Sequence, residues 1–213
     1  MRCILFVIIS FTKKHSEKIS VKREKEKNMM YFNDVNNLNE LKSRFRQWAF
    51  KLHPDKGGNA KAQYRLGVRY KNGHSIIRDH VKALHWLHAS ASNGYACAQY
   101  MLGEFYRWGQ LVKLNYLTAA GWYEKAALQN HAEAQYELGW MYQNRRGVEL
   151  DYKIAAYWYS KAATHNHPRA LYALGWLYEN GRGVAQNINQ AARYFQAAFQ
   201  YGAVDARIHL TRL

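Results

Sequence analysis

The sequence predicts an all-α protein in which helix pairs stack into a right-handed superhelical solenoid. Only two prolines and fourteen glycines interrupt the 213 residues, and 48% of the residues are hydrophobic, so packed helices are favoured over disorder. The pattern Ala-x-Tyr-x-Leu-Gly begins at Ala62, Ala98, Ala134 and Ala170, 36 residues apart each time, and a fifth start is visible at Ala206. Because a fixed period of this length is typical of repeat proteins, we expect four full helix pairs and part of a fifth.

Residues 1–28 are predicted to lie outside the folded protein. Their apolar run from Cys3 to Ile9 is much shorter than the roughly 20 residues that a membrane-spanning helix needs, and a mixed-charge stretch follows it. One interpretation is a disordered or non-native upstream extension of a bacterial coding sequence, with the true start at Met29 or Met30. The alternative is an export signal formed by residues 1–12. The first interpretation predicts a cytoplasmic protein and the second an exported or secreted one.

Residues 29–61 contain a helix signal followed by a short motif. Leu41, Phe45, Trp48 and Leu52 fall on one face of a helix, and basic side chains occupy much of the remainder. Pro54 ends the helix, since the residue before a proline is disfavoured in the helical conformation. The motif His53-Pro54-Asp55-Lys56-Gly57-Gly58 follows directly.

This segment resembles the second helix and the His-Pro-Asp loop of the J domain of Hsp70 co-chaperones. The resemblance implies docking of the basic helix on an acidic surface of a DnaK-type Hsp70, and stimulation of ATP hydrolysis by the loop. The contact residues that it implies are Lys42, Arg46, Lys51, His53, Pro54 and Asp55. The segment departs from the family because it has no third helix of its own, although the first repeat helix could replace it. The alternative is a fragment that only caps the solenoid.

Each residue type that recurs at one position of the repeat has a structural role. One glycine recurs inside the first helix of each unit, where it costs about 1 kcal/mol relative to alanine, so close approach of another helix is expected. An N-cap residue recurs where the second helix should begin. Inside that helix, a large aromatic side chain recurs that should fill the space between units. A residue that tolerates a left-handed conformation follows the helix. In order, the four sets are Gly67, Gly103, Gly139 and Gly175; Asp79, Asn115, Asp151 and Asn187; Trp86, Trp122, Trp158 and Tyr194; and Gly94, Asn130, Asn166 and Gly202. A turn between the two helices is marked by Gly73, Gly109 and Gly181, with Arg145 in the third unit.

The repeats are similar to Sel1-like repeats, relatives of the tetratricopeptide repeat. The resemblance runs from Ala62 to the C-terminus, with units at 62–97, 98–133, 134–169 and 170–205 and a partial unit at 206–213. It implies a protein–protein interaction scaffold or adaptor. The cysteine-rich secreted branch of the family carries one disulfide in each repeat, and this sequence, with two cysteines, does not follow that pattern.

A partner is expected on the concave face of such a solenoid, which the first helices of the units line. The third, seventh and eleventh positions of each unit lie opposite the predicted core face and carry aromatic residues and asparagines. Aromatic side chains suit a peptide anchor, and asparagines suit hydrogen bonds to its backbone. The candidates are Trp108, Trp140, Trp176, Tyr100, Tyr136 and Tyr172. For the tyrosines, the alternative is architectural packing between neighbouring first helices.

The net charge of +16 favours acidic partners. Residues 1–28 hold eight Lys or Arg against three Glu, a net +5, which leaves +11 for the remaining chain. A nucleic-acid or anionic-membrane binder is a third functional class, but no basic residue recurs at one register in all four repeats, which counts against nucleic acid as a partner. No phosphate loop, nucleophile elbow or metal-protease motif is present, and the carboxylates are scattered. We therefore expect no enzyme, cofactor or metal site.

Overall fold

The computed structural model describes residues 59–73 and 76–212, and this part of the chain is helical throughout, as the sequence predicts. It contains no β-strand and nine α-helices, numbered here in chain order. The helices are α1 (Ala60–Asn72), α2 (His80–Ser92), α3 (Ala96–Trp108), α4 (Tyr116–Ala127), α5 (Ala132–Gln143), α6 (Tyr152–Ala163), α7 (Pro168–Asn180), α8 (Ile188–Gln200) and α9 (Ala206–Arg212). We call α1, α3, α5 and α7 the A helices and α2, α4, α6 and α8 the B helices; α9 lies where a fifth A helix would begin.

The core is a series of clusters, each of which joins one repeat to the next. Residues of α2 and α3 form one cluster, residues of α4 and α5 most of the second, and residues of α6 and α7 the third. Each of these three clusters therefore combines the B helix of one unit with the A helix of the following unit. A fourth cluster joins α7 and α8 to α9. This arrangement is that of a solenoid, in which each unit contacts only its neighbours and stability comes largely from the interfaces between them.

The predicted N-caps of the B helices are confirmed. Asn115 accepts a hydrogen bond from the backbone N–H of Thr118 at 3.0 Å, and Asp151 accepts two, from Lys153 and Ile154. Asp79 and Asn187 cap α2 and α8 in the same way. These bonds satisfy backbone donors that the first turn of a helix leaves without a partner, and so they fix where each B helix begins.

The glycines inside the A helices mark the closest approach between the two helices of a unit, as predicted. A Cβ atom on Gly103 would lie 2.6 Å from Cδ1 of Tyr123, and one on Gly175 would lie 2.7 Å from Cε1 of Phe195. Both rings are fully buried. The missing side chain is therefore what allows an A helix to pack directly on the aromatic residue of its B helix.

The turn after each A helix uses a left-handed residue, and the third unit does so without glycine. Gly109 and Gly181 have φ angles of 65° and 62°, and Arg145 at the equivalent position has a φ of 54°. A residue with a Cβ pays roughly 1–2 kcal/mol for this conformation, whereas glycine does not.

We expect Arg145→Gly to raise the free energy of unfolding by about 0.5–1 kcal/mol, after allowing for the greater freedom of glycine in the unfolded chain. Urea denaturation followed by circular dichroism measures this change. Arg145→Ala is the matched control, because it removes the same side chain but keeps the Cβ atom and the strain. Equal stability of the Gly and Ala variants would contradict the explanation.

Candidate functional site

The tyrosines at the third position of the repeat form a packed ladder between units. The ring of Tyr100 stacks on His131 with centroids 4.9 Å apart, and the ring of Tyr136 stacks on His167 at the same distance. Tyr172 continues the ladder through a 2.9 Å contact between its hydroxyl and Nε2 of His209. Burial raises the pKa of both Tyr100 and Tyr136, so these hydroxyls stay protonated. This geometry supports the architectural alternative for the tyrosines and leaves the tryptophans as the stronger anchor candidates.

Two histidines cap A helices, a role that the sequence analysis missed. Nδ1 of His131 accepts from the backbone N–H of Ala134 at 3.3 Å, and Nδ1 of His167 accepts from that of Ala170 at 3.2 Å. Because Nδ1 accepts, the proton of each neutral ring lies on Nε2. The available signal was the spacing of 36 residues between the two histidines, each directly before a predicted A helix.

We expect the unfolding free energy to fall as the pH is lowered through the range in which His131 titrates. Burial lowers the pKa of His131 below its ordinary value of 6.5. The unfolded chain therefore binds this proton more readily, and the stabilisation is fully present above pH 6.5 and is lost as the pH falls through the folded-state pKa. For one proton the slope is at most about 1.4 kcal/mol per pH unit.

Urea denaturation between about pH 7.5 and pH 5.5 measures this slope. His131→Asn keeps an N-cap acceptor but removes the titrating ring, so we expect a shallower slope for this variant. His165→Asn replaces an exposed histidine and serves as the control. An unchanged slope in His131→Asn would show that the titration of this ring does not control stability.

The three candidate tryptophans lie on the A helices and differ in exposure. Trp108 is 58% exposed, and its Nε1 donates to Oε2 of Glu104 at 3.2 Å. Trp140 and Trp176 are half-buried, and each packs against two of the core clusters. We call the surface that carries Trp108, Trp140 and Trp176 the A-helix face. Large aromatic side chains with one fixed, exposed edge are typical anchors of protein interfaces.

A guanidinium group holds two of these indoles in place. Cζ of Arg107 lies 4.8 Å from the ring centroid of Trp108 and 4.3 Å from that of Trp140, in range of a cation–π interaction with both. Since α3 carries Trp108 and α5 carries Trp140, Arg107 links the aromatic groups of two consecutive repeats. The anchors are therefore fixed before any partner binds, which lowers the entropic cost of binding.

Arg107 is also the centre of an ion-pair network that spans three A helices. It pairs with buried Glu137 of α5 and lies 3.9 Å from Oε1 of Glu104 on its own helix. Arg169 of α7 extends the network, with Nη1 3.6 Å from Oε1 of Glu137 and Nη2 2.9 Å from Oε2 of Glu133. Burial raises the pKa of Glu137, and the two arginines oppose that effect. The network thereby fixes the relative positions of α3, α5 and α7.

Comparison with known proteins agrees with the helical repeats. The family model described as Sel1 repeat matches residues 60–95, 98–131, 132–167 and 168–200, which is more than half of the chain. The chain belongs to the Sel1 repeat family. A comparison with curated proteins found no match.

Two solved structures of bacterial proteins resemble this Sel1-repeat protein. A Sel1 repeat protein from Oxalobacter formigenes is 32% identical, with a TM-score of 0.71 over 81% of this chain and 71% of that one. A protective antigen present in uropathogenic Escherichia coli strains is also 32% identical, with a TM-score of 0.68 over 81% of this chain. This chain spans only 35% of the length of that antigen. Both likenesses support the repeat architecture.

The asparagines next to the tryptophans are engaged within the A helices of this Sel1-repeat protein. Nδ2 of Asn144 donates to the carbonyl oxygen of Trp140 at 2.8 Å, and Nδ2 of Asn180 donates to that of Trp176 at 2.8 Å. Each side chain therefore donates to a carbonyl near the end of its own helix, a role that the sequence analysis did not foresee. Capture of partner backbone by these asparagines stays a prediction.

The six Hsp70-contact candidates fall outside the residues that the structure describes, and their role also stays a prediction. They are Lys42, Arg46, Lys51, His53, Pro54 and Asp55. Within residues 59–73 and 76–212, no group of three His, Cys, Asp or Glu is placed to hold a metal ion. No helix in that same part of the chain is both long and apolar enough to cross a bilayer.

Proposed function

We propose that this Sel1-repeat protein is an adaptor that holds a segment of a partner protein on its A-helix face. The observation that carries the proposal is Trp108, an indole that is 58% exposed although Arg107 and Glu104 fix its position. An exposed tryptophan that neighbouring side chains already hold in one orientation gives a large binding contribution at a small entropic cost. Trp140 and Trp176 extend the same surface along the next two repeats.

Two further features support this proposal. The ion pairs of Arg107 and Arg169 connect three successive A helices, so the spacing between the anchors is fixed over the length of an extended peptide. The tyrosine ladder packs against the same core clusters as Trp140 and Trp176. A surface built on rigid helices binds with better-defined geometry than one built on loops.

Peptide selection tests the proposal. A random peptide display library is selected against the full chain, and the affinity of the recovered peptides is measured by calorimetry. We expect Trp108→Ala and Trp176→Ala each to weaken binding at least tenfold, which corresponds to about 1.4 kcal/mol. Tyr201→Ala is the matched control, since it removes an aromatic side chain that is 51% exposed at the end of α8. Equal affinity of all four proteins would exclude the A-helix face.

We further propose that the J-like segment recruits a DnaK-type Hsp70, to which the adaptor presents its bound partner. Support comes from the basic helix that the sequence predicts at residues 41–52 and the His53-Pro54-Asp55 motif directly after it. A charged helix can steer association while a carboxylate on a tight turn gives a specific acceptor. In this co-chaperone role, the repeats would select the partner that is presented to Hsp70.

The test is single-turnover ATP hydrolysis by a bacterial Hsp70 with the full chain added, beside Asp55→Asn. Stimulation that disappears in the variant would support the co-chaperone role. No stimulation by either protein would leave the repeats as a scaffold and the J-like segment as a cap.

We also propose a cytoplasmic location, supported by the low cysteine content of two residues in 213. Mass spectrometry of the native protein after cell fractionation tests this. Recovery of the protein in the secreted fraction, cleaved after the first apolar run, would favour the export signal instead.

A further inference from the structure

A cleft of about 280 Å³ opens between two B helices, and none of the tryptophans of the A-helix face lines it. Lys153 and Tyr157 of α6 form one wall, and Tyr194 of α8 forms the other. Its lining also includes Tyr178 of α7 and Gly183 of the following loop. We call it the α6–α8 cleft.

The cleft lies at the register where three of the four units carry a tryptophan. Trp158 in the third unit is only 8% exposed and packs in the cluster that α4 and α5 form, so its indole fills the space beside the preceding B helix. The fourth unit has Tyr194 at this position. Its smaller ring is half-buried and stacks on Tyr178 with centroids 5.5 Å apart. The substitution of tyrosine for tryptophan therefore explains an opening next to α6.

The loop that carries Gly183 lines the cleft and packs on the backbone of α6. Gly183 has a φ of 70°, and a Cβ atom at this position would lie 2.3 Å from the carbonyl carbon of Tyr152. The loop therefore lies directly on the first turn of α6, beside Lys153. This contact fixes the distance between the loop and the lysine wall.

The cleft is lined mainly by aromatic and small side chains, with one basic side chain among them. Its lining includes three tyrosines and one charged side chain, Lys153, and contains no carboxylate. Nζ of Lys161 lies 5.5 Å from the ring centroid of Tyr157, which adds a second cation beside the same wall. Such a site is complementary to an aromatic group with negative charge beside it.

We propose that the α6–α8 cleft binds one aromatic side chain of a partner protein segment in which acidic residues flank the aromatic residue. Sites for whole small molecules usually have volumes of about 300–1,000 Å³, and this cleft is smaller. A single side chain therefore suits it better than a cofactor. An indole is the group that the same register supplies in the first three units. The net charge of +16 on the chain attracts an acidic segment from a distance.

The probe is a fluorescein-labelled peptide in which one tryptophan lies between three glutamates on each side. Its binding to the full chain is followed by fluorescence anisotropy at about 0.15 M salt, where long-range attraction is screened. We expect saturable binding that weakens at least tenfold in Tyr194→Trp, because the indole of the protein then occupies the cleft. Lys153→Glu should weaken binding at least tenfold through charge reversal.

Two controls separate this site from the A-helix face and from simple charge attraction. Trp108→Ala should leave the affinity unchanged, so loss of the proposed function on the A-helix face would not affect this result. A peptide with alanine in place of tryptophan should bind at least tenfold more weakly. The proposal is overturned if no saturable binding occurs, if Tyr194→Trp binds like the unmodified protein, or if the alanine peptide binds equally well. Tyr194→Trp reproduces the residue of the other units, and its thermal midpoint checks that it folds.

Discussion

Replacing Arg107 with alanine should lower the free energy of unfolding by about 3–5 kcal/mol, the usual cost of removing one partner of a buried ion pair. Arg107 and Glu137 are 9% and 3% exposed. Without the guanidinium, the cationic partner that Glu137 keeps within the described residues is the more distant Arg169. The indoles of Trp108 and Trp140 also lose the cation that lies between them. We therefore expect weaker coupling of the second and third repeats as well as lower stability.

Urea denaturation of Arg107→Ala measures this effect, and a double variant tests its cause. Arg107→Met combined with Glu137→Leu removes both charges and fills the space with apolar groups, which is often neutral or stabilising. We expect this double variant to recover most of the lost stability. Arg193→Ala, at an exposed position of α8, is the control for loss of a surface arginine. If Arg107→Ala were no less stable than Arg193→Ala, the network would have no structural role.

Replacing Gly139 with alanine should lower the free energy of unfolding by up to about 2 kcal/mol. A Cβ atom there would lie 2.8 Å from Cδ1 of Tyr159 and 3.2 Å from the carbonyl oxygen of Ala155. The ring of Tyr159 is buried and its hydroxyl donates to Oε1 of Gln143 at 2.6 Å, so it cannot move aside freely. Overpacking costs about 1–3 kcal/mol, and the better helix propensity of alanine returns about 1 kcal/mol of it.

Gly121 provides the matched control within the same protein. It lies inside α4, is exposed, and a Cβ atom there would meet nothing within 4 Å. Gly121→Ala should therefore raise the free energy of unfolding by about 1 kcal/mol through helix propensity alone. Thermal or urea denaturation of the two variants gives the comparison. A destabilised Gly121→Ala, or a stabilised Gly139→Ala, would contradict the packing account.

Repetition made the helical framework predictable from the sequence. A residue that recurs every 36 positions has the same structural task in each unit, so Gly139 and Asp151 could be assigned before the structure was known. The same logic identified the register of Trp158 and Tyr194. It could not show that the exception at Tyr194 opens a cleft, because that depends on the separation of two helices.

The ion-pair network escaped the same analysis because it does not repeat. Arg107 is the tenth residue of its unit, Glu137 the fourth of the next, and Arg169 directly precedes the unit after that. The residues at the same three positions of the other units differ from these, so the sequence contains no periodic signal for the network. The contact depends on three-dimensional proximity between A helices, which spacing along a single chain does not reveal.

The central claim is that a partner binds the A-helix face, and the indole N–H signals of the seven tryptophans test it most directly. A nitrogen–proton correlation spectrum of the full chain is recorded while a display-selected peptide is added, with signals assigned through single Trp→Phe variants. We predict shifts for Trp108, Trp140 and Trp176, and unchanged signals for Trp86 and Trp122 of the B helices. Shifts at Trp86 and Trp122 with none at the three A-helix indoles would contradict the account.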